Sequence, residues 1–374
     1  MTVLVTGGAG YIGSHMVWAL LDAGERVVVV DRLSTGFEWA VAPEAELIHA
    51  DVSDTAAIAE IIRAHGIEAI IHFAGSISVP ESLADPLGYY QNNTANSLAL
   101  IRTAIATGVK QFVFSSTAAV YGTPRSDGAI AENTPTVPQS PYGASKLMTE
   151  TMLADAAAAH EFRYAALRYF NVSGADPLGR TGQSTRGAAN LIKVATEAAM
   201  GKRDGIEVFG SDYPTRDGTC IRDFIHVTDL VAAHLDALTY LRAGGDSLVA
   251  NCGYGRGYTV REVLDSVHRL SGRDFEVRLG PRREGDIVTS VADSTRARTV
   301  LGWTPRHDDL DKIVGSALAW EAALARSNHT IDEPAGQSSR RIVLDWTPPH
   351  DDMEEIVGNA LAFAPVLARR RHSR

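Results

Sequence analysis

The stretch TGGAGYIG (Thr6–Gly13) limits the folds open to this chain more than any other. A β-branched run, TVLVT, leads into it, and an apolar helical period, IGSHMVWALLDAG, leads out and is closed by Gly24. Strand, glycine turn and helix in that order start a βαβ unit. Gly7, Gly10 and Gly13 let the backbone turn tightly, so that free N–H groups at a helix N-terminus can face a pyrophosphate. Asp31 ends the next β-branched run, RVVVVD, 18 residues beyond Gly13. A carboxylate there accepts from a ribose diol and repels a 2′-phosphate, which favours NAD over NADP.

The alternation continues. AELIHAD, EAIIHFAG, KQFVFSS and RYAALRYF read as strands. TAAIAEIIRAHG, NNTANSLALIRTAIATG and the segment around Tyr142 read as helices. Short apolar strands between helices imply a parallel sheet covered on both faces. The pattern predicts an α/β fold, a Rossmann-type doubly wound parallel sheet over residues 1–170. Beyond Phe170 helices near Asn190–Gly201, Val227–Leu241 and Thr259–Ser271 are separated by Gly-, Pro- and Arg-rich loops. They predict a smaller C-terminal substrate-binding lobe over 171–325, with a segment near 226–241 returning to the first domain. A length of 374 residues suits two such joined domains.

Residues 326–374 read as a polar linker and a duplicated tail. LGWTPRHDDLDKIVGSALAW (Leu301–Trp320) recurs as LDWTPPHDDMEEIVGNALAF (Leu344–Phe363), 13 of 20 positions being identical at an offset of 43. Two copies are too few for a solenoid. The expectation is a terminal duplication without a catalytic role.

A net charge of −10 argues against a nucleic-acid partner. Cys220 and Cys252 are too few for a disulfide framework or a zinc site, and no metal is expected. No apolar run approaches a membrane span, and no basic-then-apolar leader precedes the first strand. The expectation is a cytoplasmic protein without a membrane partner.

The chemistry centres on Tyr142 and Lys146 in PYGASKLMTE. Four residues apart on a helix, the two side chains share a face. An ammonium there is expected to pull the phenol below its ordinary value of about 10, making it a general base for an alcohol. An alcohol that loses both a proton and a hydride needs a hydride acceptor, and the glycine loop supplies its seat. Ser115, Ser116 and Thr117 end a strand and are expected to face the same cleft, where one hydroxyl can relay the proton. Asp51, just after a strand, can accept from an adenine amino group or cap a helix. His72 reads as a packed strand residue. Asn92, opening a helix, is either an N-cap or a cofactor-side anchor.

These motifs together resemble the extended short-chain dehydrogenase/reductases, and within them the UDP-glucose 4-epimerase family. The likeness rests on GGAGYIGSH, HFAG with PLGYYQNN, SSTAAVYG, SPYGASKLMTE, LRYFNVSGA, FGSDYPTRDGTCIRDFIHV and RREGD, and runs from Met1 to about Ala325. It implies that Thr117, Tyr142 and Lys146 are catalytic. It implies an NAD site lined by Gly7, Gly10, Tyr11, Ile12, Gly13, Asp31, Asp51, Val52, Phe73, Ala74, Asn92, Ser115, Tyr142, Lys146 and Tyr169. A UDP-sugar would be held by Asn171, Asn190, Leu191, Phe209, Arg222, Arg283 and Asp286, besides Thr117. Two arginines suit a diphosphate through charge-assisted forks. Ser290, four residues after Asp286, stands where the family lines the sugar pocket; a small residue there admits an acetamido group. The chain departs from the family in having Thr117 where serine is common, and Ile77 where many members carry a lysine near the nicotinamide ribose.

The resemblance implies interconversion of UDP-glucose and UDP-galactose by NAD-dependent oxidation and reduction at C4, with UDP-GlcNAc and UDP-GalNAc as a further pair. The alternatives are another NDP-sugar 4-epimerase, such as one for UDP-pentoses, or a non-catalytic NAD-binding regulator. A dehydratase or decarboxylase of the same fold would place an acidic residue after the Ser/Thr, where this chain has Ala118 and Ala119. Pairing of the helices at Asn92–Thr107 and Tyr142–Ala159 would make a homodimer.

Overall fold

A computed structural model describes residues 1–123, 128–283 and 286–326; the second copy of the repeat lies outside them. The strands, in chain order, are β1 (Thr2–Thr6), β2 (Arg26–Asp31), β3 (Glu46–His49), β4 (Ala69–His72), β5 (Gln111–Thr117), β6 (Arg163–Tyr169), β7 (Asn171–Ser173), β8 (Gly205–Phe209), β9 (Ile221–His226), β10 (Leu248–Cys252), β11 (Gly257–Thr259), β12 (Glu276–Gly280) and β13 (Thr289–Ser290). Seven form one sheet in the order β10-β6-β5-β4-β1-β2-β3, and every pair in it is parallel.

Successive side chains on a strand point to opposite faces, so a strand covered on both sides must be apolar at every position. Val3 and Val5 enter one core with Val17 and Leu20 of the helix Tyr11–Asp22 and with Leu230 and Leu238 of the helix Val227–Arg242. Leu4 enters the other core with Ile58, Leu100 and Leu153, from the helices Thr55–His65, Asn96–Ala106 and Pro141–Ala159. The sheet is therefore the expected doubly covered one. The helix Val227–Arg242 packs on it. The seventh strand, β10, was not legible, because LVANC carries Asn251 amid its apolar residues.

A single residue, Phe170, separates β6 from β7, so the chain passes directly from the large sheet into a small one. There β9 pairs with β7 and β13 in parallel and with β11 antiparallel. A further parallel pair joins β8 and β12. Among the described residues no helix is long and apolar enough to cross a membrane.

Candidate active site

The glycine loop leaves β1 with Gly7 at φ 72°, a left-handed conformation that favours glycine. A Cβ on Gly7 would lie 2.6 Å from the Ala74 backbone nitrogen, and one on Gly13 would lie 2.1 Å from the Gly7 carbonyl oxygen. Loop, β4 end and helix start are thus pressed together. Gly10 caps the helix Tyr11–Asp22 without a side-chain hydrogen bond, which leaves the first-turn N–H groups for another acceptor. The Asp31 carboxylate ends β2 and accepts from the Ala9 N–H (3.0 Å) and the Leu33 N–H (2.8 Å). Tyr11 donates its hydroxyl to the Gly174 carbonyl at 2.7 Å. Ile12 is half-buried beside it, and Val52 is buried after β3. Asp51 accepts from Ser53 N–H and pairs with Arg32 at 3.3 Å.

Past Ala74, Gly75 lies against the helix Pro141–Ala159; a Cβ there would be 3.8 Å from Lys146 Nζ. The ends of β1 and β4 and the start of the helix Pro141–Ala159 therefore meet at one place. Ser140 caps that helix by accepting from Gly143 N–H, with Pro141 in its first turn. Lys146 is buried, donates to the Ser115 carbonyl at 3.0 Å and sits 4.9 Å from the centre of the Phe114 ring. Burial lowers its amine to about 8, against a smaller upward pull from Glu150. The Tyr142 phenol is also buried, which raises it, while a hydrogen bond from Thr117 lowers it. The downward pull comes from Thr117 and not from Lys146, unlike the sequence expectation. Ser115 and Tyr169 join their hydroxyls at 2.6 Å on neighbouring strands.

Ser116 does not face this cleft. It is fully buried and donates to Glu150, which also takes a forked hydrogen bond from Arg168. Ser116 and Arg168 are register partners on β5 and β6, one rung before Thr117 and Tyr169. Glu150 thus ties the helix Pro141–Ala159 to both strands one rung before Thr117 and Tyr169. Arg168 also donates to Tyr121, whose hydroxyl donates to Asn251 on β10. Glu150, Arg168, Tyr121 and Asn251 were not singled out in the sequence. The usable signals were a lone arginine inside an apolar strand and a carboxylate four residues beyond Lys146 on the same helix face.

His72 bridges Thr6 and Ser97 and stacks on Phe114; burial lowers it to about 3, so it is a neutral packed residue. Asn92 is not an N-cap. It lies in a π-helical turn, Tyr90–Ala95, and donates to Ser76. Its buried neighbour Asn93 does more: its amide accepts from the Ser76 N–H (2.7 Å) and donates to the Ser76 carbonyl and to Ser145. Phe73 packs its ring on His234.

The expected sugar-nucleotide residues fall into groups. Arg222 on β9 pairs with Asp286 at 3.5 Å, and Ser290 is the register partner of Arg222 on β13. Asn171 on β7 donates to the Asp223 carbonyl, next to Arg222. Arg283 lies 3.6 Å over the Phe209 ring centre. Asn190 and Leu191 open the helix Leu191–Ala199, and Asn190 lines a cavity with Tyr11, Gly174 and Lys193. Glu284 and Gly285, within RREGD, lie outside the described residues.

The uncapped helix start, the close-packed glycines and the carboxylate at the end of β2 fit a dinucleotide with a free ribose diol. No metal-ligand cluster occurs among the described residues.

Residues 3–253 match the model of the NAD dependent epimerase/dehydratase family. A UDP-glucose 4-epimerase of Azospirillum brasilense is 54% identical over 337 residues, covering 90% of this chain and 97% of that protein. The structure is similar to that of a Brucella ovis UDP-glucose 4-epimerase in complex with NAD. That likeness has a TM-score of 0.82 and 43% identity, and covers 85% of this chain and 97% of the other. It is also similar to a UDP-Glc/GlcNAc 4-epimerase from Campylobacter jejuni, with a TM-score of 0.76 and 46% identity, covering 86% and 99%.

Proposed function

The chain belongs to the NAD dependent epimerase/dehydratase family, and from that premise we propose that it interconverts UDP-glucose and UDP-galactose through a 4-keto intermediate. One observation carries the reading: Gly7 of the glycine loop backs onto Ala74, and the next residue, Gly75, lies beside Lys146. The cofactor cradle and the Thr117–Tyr142–Lys146 set are thereby adjacent.

Bound on the glycine loop, NAD supplies the hydride acceptor for C4 and, once reduced, the donor. The rest is the work of side chains. Tyr142 takes the proton of the 4-hydroxyl, with Thr117 in the hydrogen-bond chain, and returns it after the keto sugar has presented its other face. Lys146, buried and donating to the Ser115 carbonyl, is the ammonium we assign to the reacting end of this site. Ala118 and Ala119 offer no acid for an elimination at the neighbouring carbon. Asp31, Asp51, Val52, Phe73, Ala74, Asn92, Ser115 and Tyr169, with Tyr11, Ile12 and the three glycines, are the residues we assign to the cofactor. Arg222, Arg283, Asp286, Phe209, Asn171, Asn190 and Leu191 are those we assign to the nucleotide and its diphosphate.

Ser290 supports a wider substrate range. It is small, buried and in register with Arg222, so a bulky residue there would fill space that an acetamido group needs. The test is incubation with UDP-galactose, UDP-GalNAc and UDP-arabinose, following C4 inversion by NMR. Turnover of the galactose pair is expected, with the N-acetylated pair turned over by wild type and lost in Ser290→Tyr. Failure to invert UDP-galactose would remove the main reading.

A cytoplasmic location is part of the proposal, as is a homodimer. Leu98 and Met148, on the two helices expected to pair, are 42% and 45% exposed, and Leu83 and Leu87, on short helices that contact the helix Pro141–Ala159, are 63% and 77% exposed. Such exposed apolar residues suit self-association.

A further inference from the structure

The C-terminal helix Leu310–Arg326 carries Trp320, which is 4% exposed although it lies far along the chain from every cofactor motif. Its indole N–H donates to the Ser184 hydroxyl at 3.1 Å, and its ring covers Gly182, where an added Cβ would sit 2.3 Å away. Its other neighbour is Trp39, with ring centres 6.3 Å apart, and Trp39 stacks on Phe37 at 5.1 Å. Phe37 in turn donates its N–H to the Ala9 carbonyl at 3.0 Å, and Ala9 donates to Asp31. A pocket at the glycine loop is lined by Gly10, Thr35 and Phe37 on one side and by Gly182, Ser184 and Thr185 on the other. Trp320 touches the anchors of both sides.

We propose that Trp320 is a positioning residue for cofactor retention: it clamps the Thr35–Trp39 turn and the Gly182–Thr185 segment into the outer wall of the glycine-loop pocket. The inference rests on the NAD reading of that loop. It gives the retention of NAD a source outside the nicotinamide end, where this chain carries the exposed Ile77 in place of a cation. Two contacts do different work. The indole face holds both segments by packing, and the N–H fixes Ser184. Phenylalanine keeps the first and loses the second, so it is the informative substitution. The duplicate copy of this segment has Phe363 at the matching position.

The test uses the full-length chain as wild type, Trp320→Phe, Trp320→Ala and Ser184→Ala. Each is gel-filtered exhaustively, denatured, and its released NAD is measured per chain; NAD dissociation is then followed from reloaded protein. Wild type should retain NAD. Trp320→Ala should lose it at least about tenfold faster, as expected when an interface change acts through dissociation. Trp320→Phe and Ser184→Ala should fall between. Added NAD should bring the melting temperature of Trp320→Ala back toward wild type, and the KM for UDP-galactose should move less than the NAD dissociation rate. Equal NAD release from all four proteins overturns the clamp while leaving the NAD reading intact. A wild type that neither carries nor takes up NAD overturns the reading itself. If Trp320→Ala does not fold, unchanged NAD release from Trp320→Phe and Ser184→Ala is by itself decisive against the proposal.

Discussion

At the scale of single residues, the site holds two groups whose proton affinities are displaced by burial in opposite senses. The Tyr142 phenol is raised, and the Lys146 amine is lowered to about 8. On the proposed mechanism the active form carries phenolate and ammonium together. Below pH 8 each unit adds phenolate while Lys146 stays charged; above it, the gain in phenolate is cancelled by loss of the ammonium. kcat/KM for UDP-galactose should therefore rise with pH up to about 8 and then level off. In Lys146→Met the rate should be lower throughout and should keep rising past that break, because only the phenol still titrates. A plateau at the same pH in the variant would assign the break to another group. Tyr142→Phe removes the proposed base and should cut turnover by at least about 10²-fold, the usual scale for such a loss. Its released NAD per chain should match wild type.

At the scale of elements, the buried pair Glu150–Arg168 fastens the helix Pro141–Ala159 to β5 and β6. Removing one partner strands the other charge out of water, which costs about 3–5 kcal/mol. Glu150→Gln should therefore lower stability by that order in denaturant melts, more than an exposed pair such as Lys110–Glu161 would. A loss under about 1 kcal/mol, the range of surface pairs, would show that the pair is not the fastening. This device also marks the limit of what the chain revealed before its structure was known. The first six strands were legible because each has an apolar run at its centre, as a covered parallel sheet favours, and the glycine loop and Tyr-x-x-x-Lys spacing are local signals. Glu150, Arg168 and Asn93 act by pairing across distant segments, and a polar residue in a sequence does not declare its partner. The small sheet was missed for a related reason: β7 and β13 have only three and two residues, too short for any period to emerge. Asn92 was misplaced at a helix start because NNT resembles a cap, whereas the helix runs on through a π-turn.

At the scale of the whole molecule, two features have consequences. The exposed apolar residues Leu83, Leu87, Leu98 and Met148 should be covered by a second copy in solution if the proposed dimer forms. Light scattering should give twice the chain mass for wild type, and Leu98→Asp with Met148→Asp should shift it to one chain mass; a wild-type monomer would rule the pairing out. The other feature is the strand order. β1 is made first and lies inside the sheet; β2 and β3 add on one side, and β4, β5, β6 and β10 add in turn on the other. Each strand leaving the ribosome thus meets an open edge, and none has to be threaded between two that are already paired. The order of synthesis is also an order of assembly, so the chain can build its sheet vectorially while its C-terminal part is still being translated.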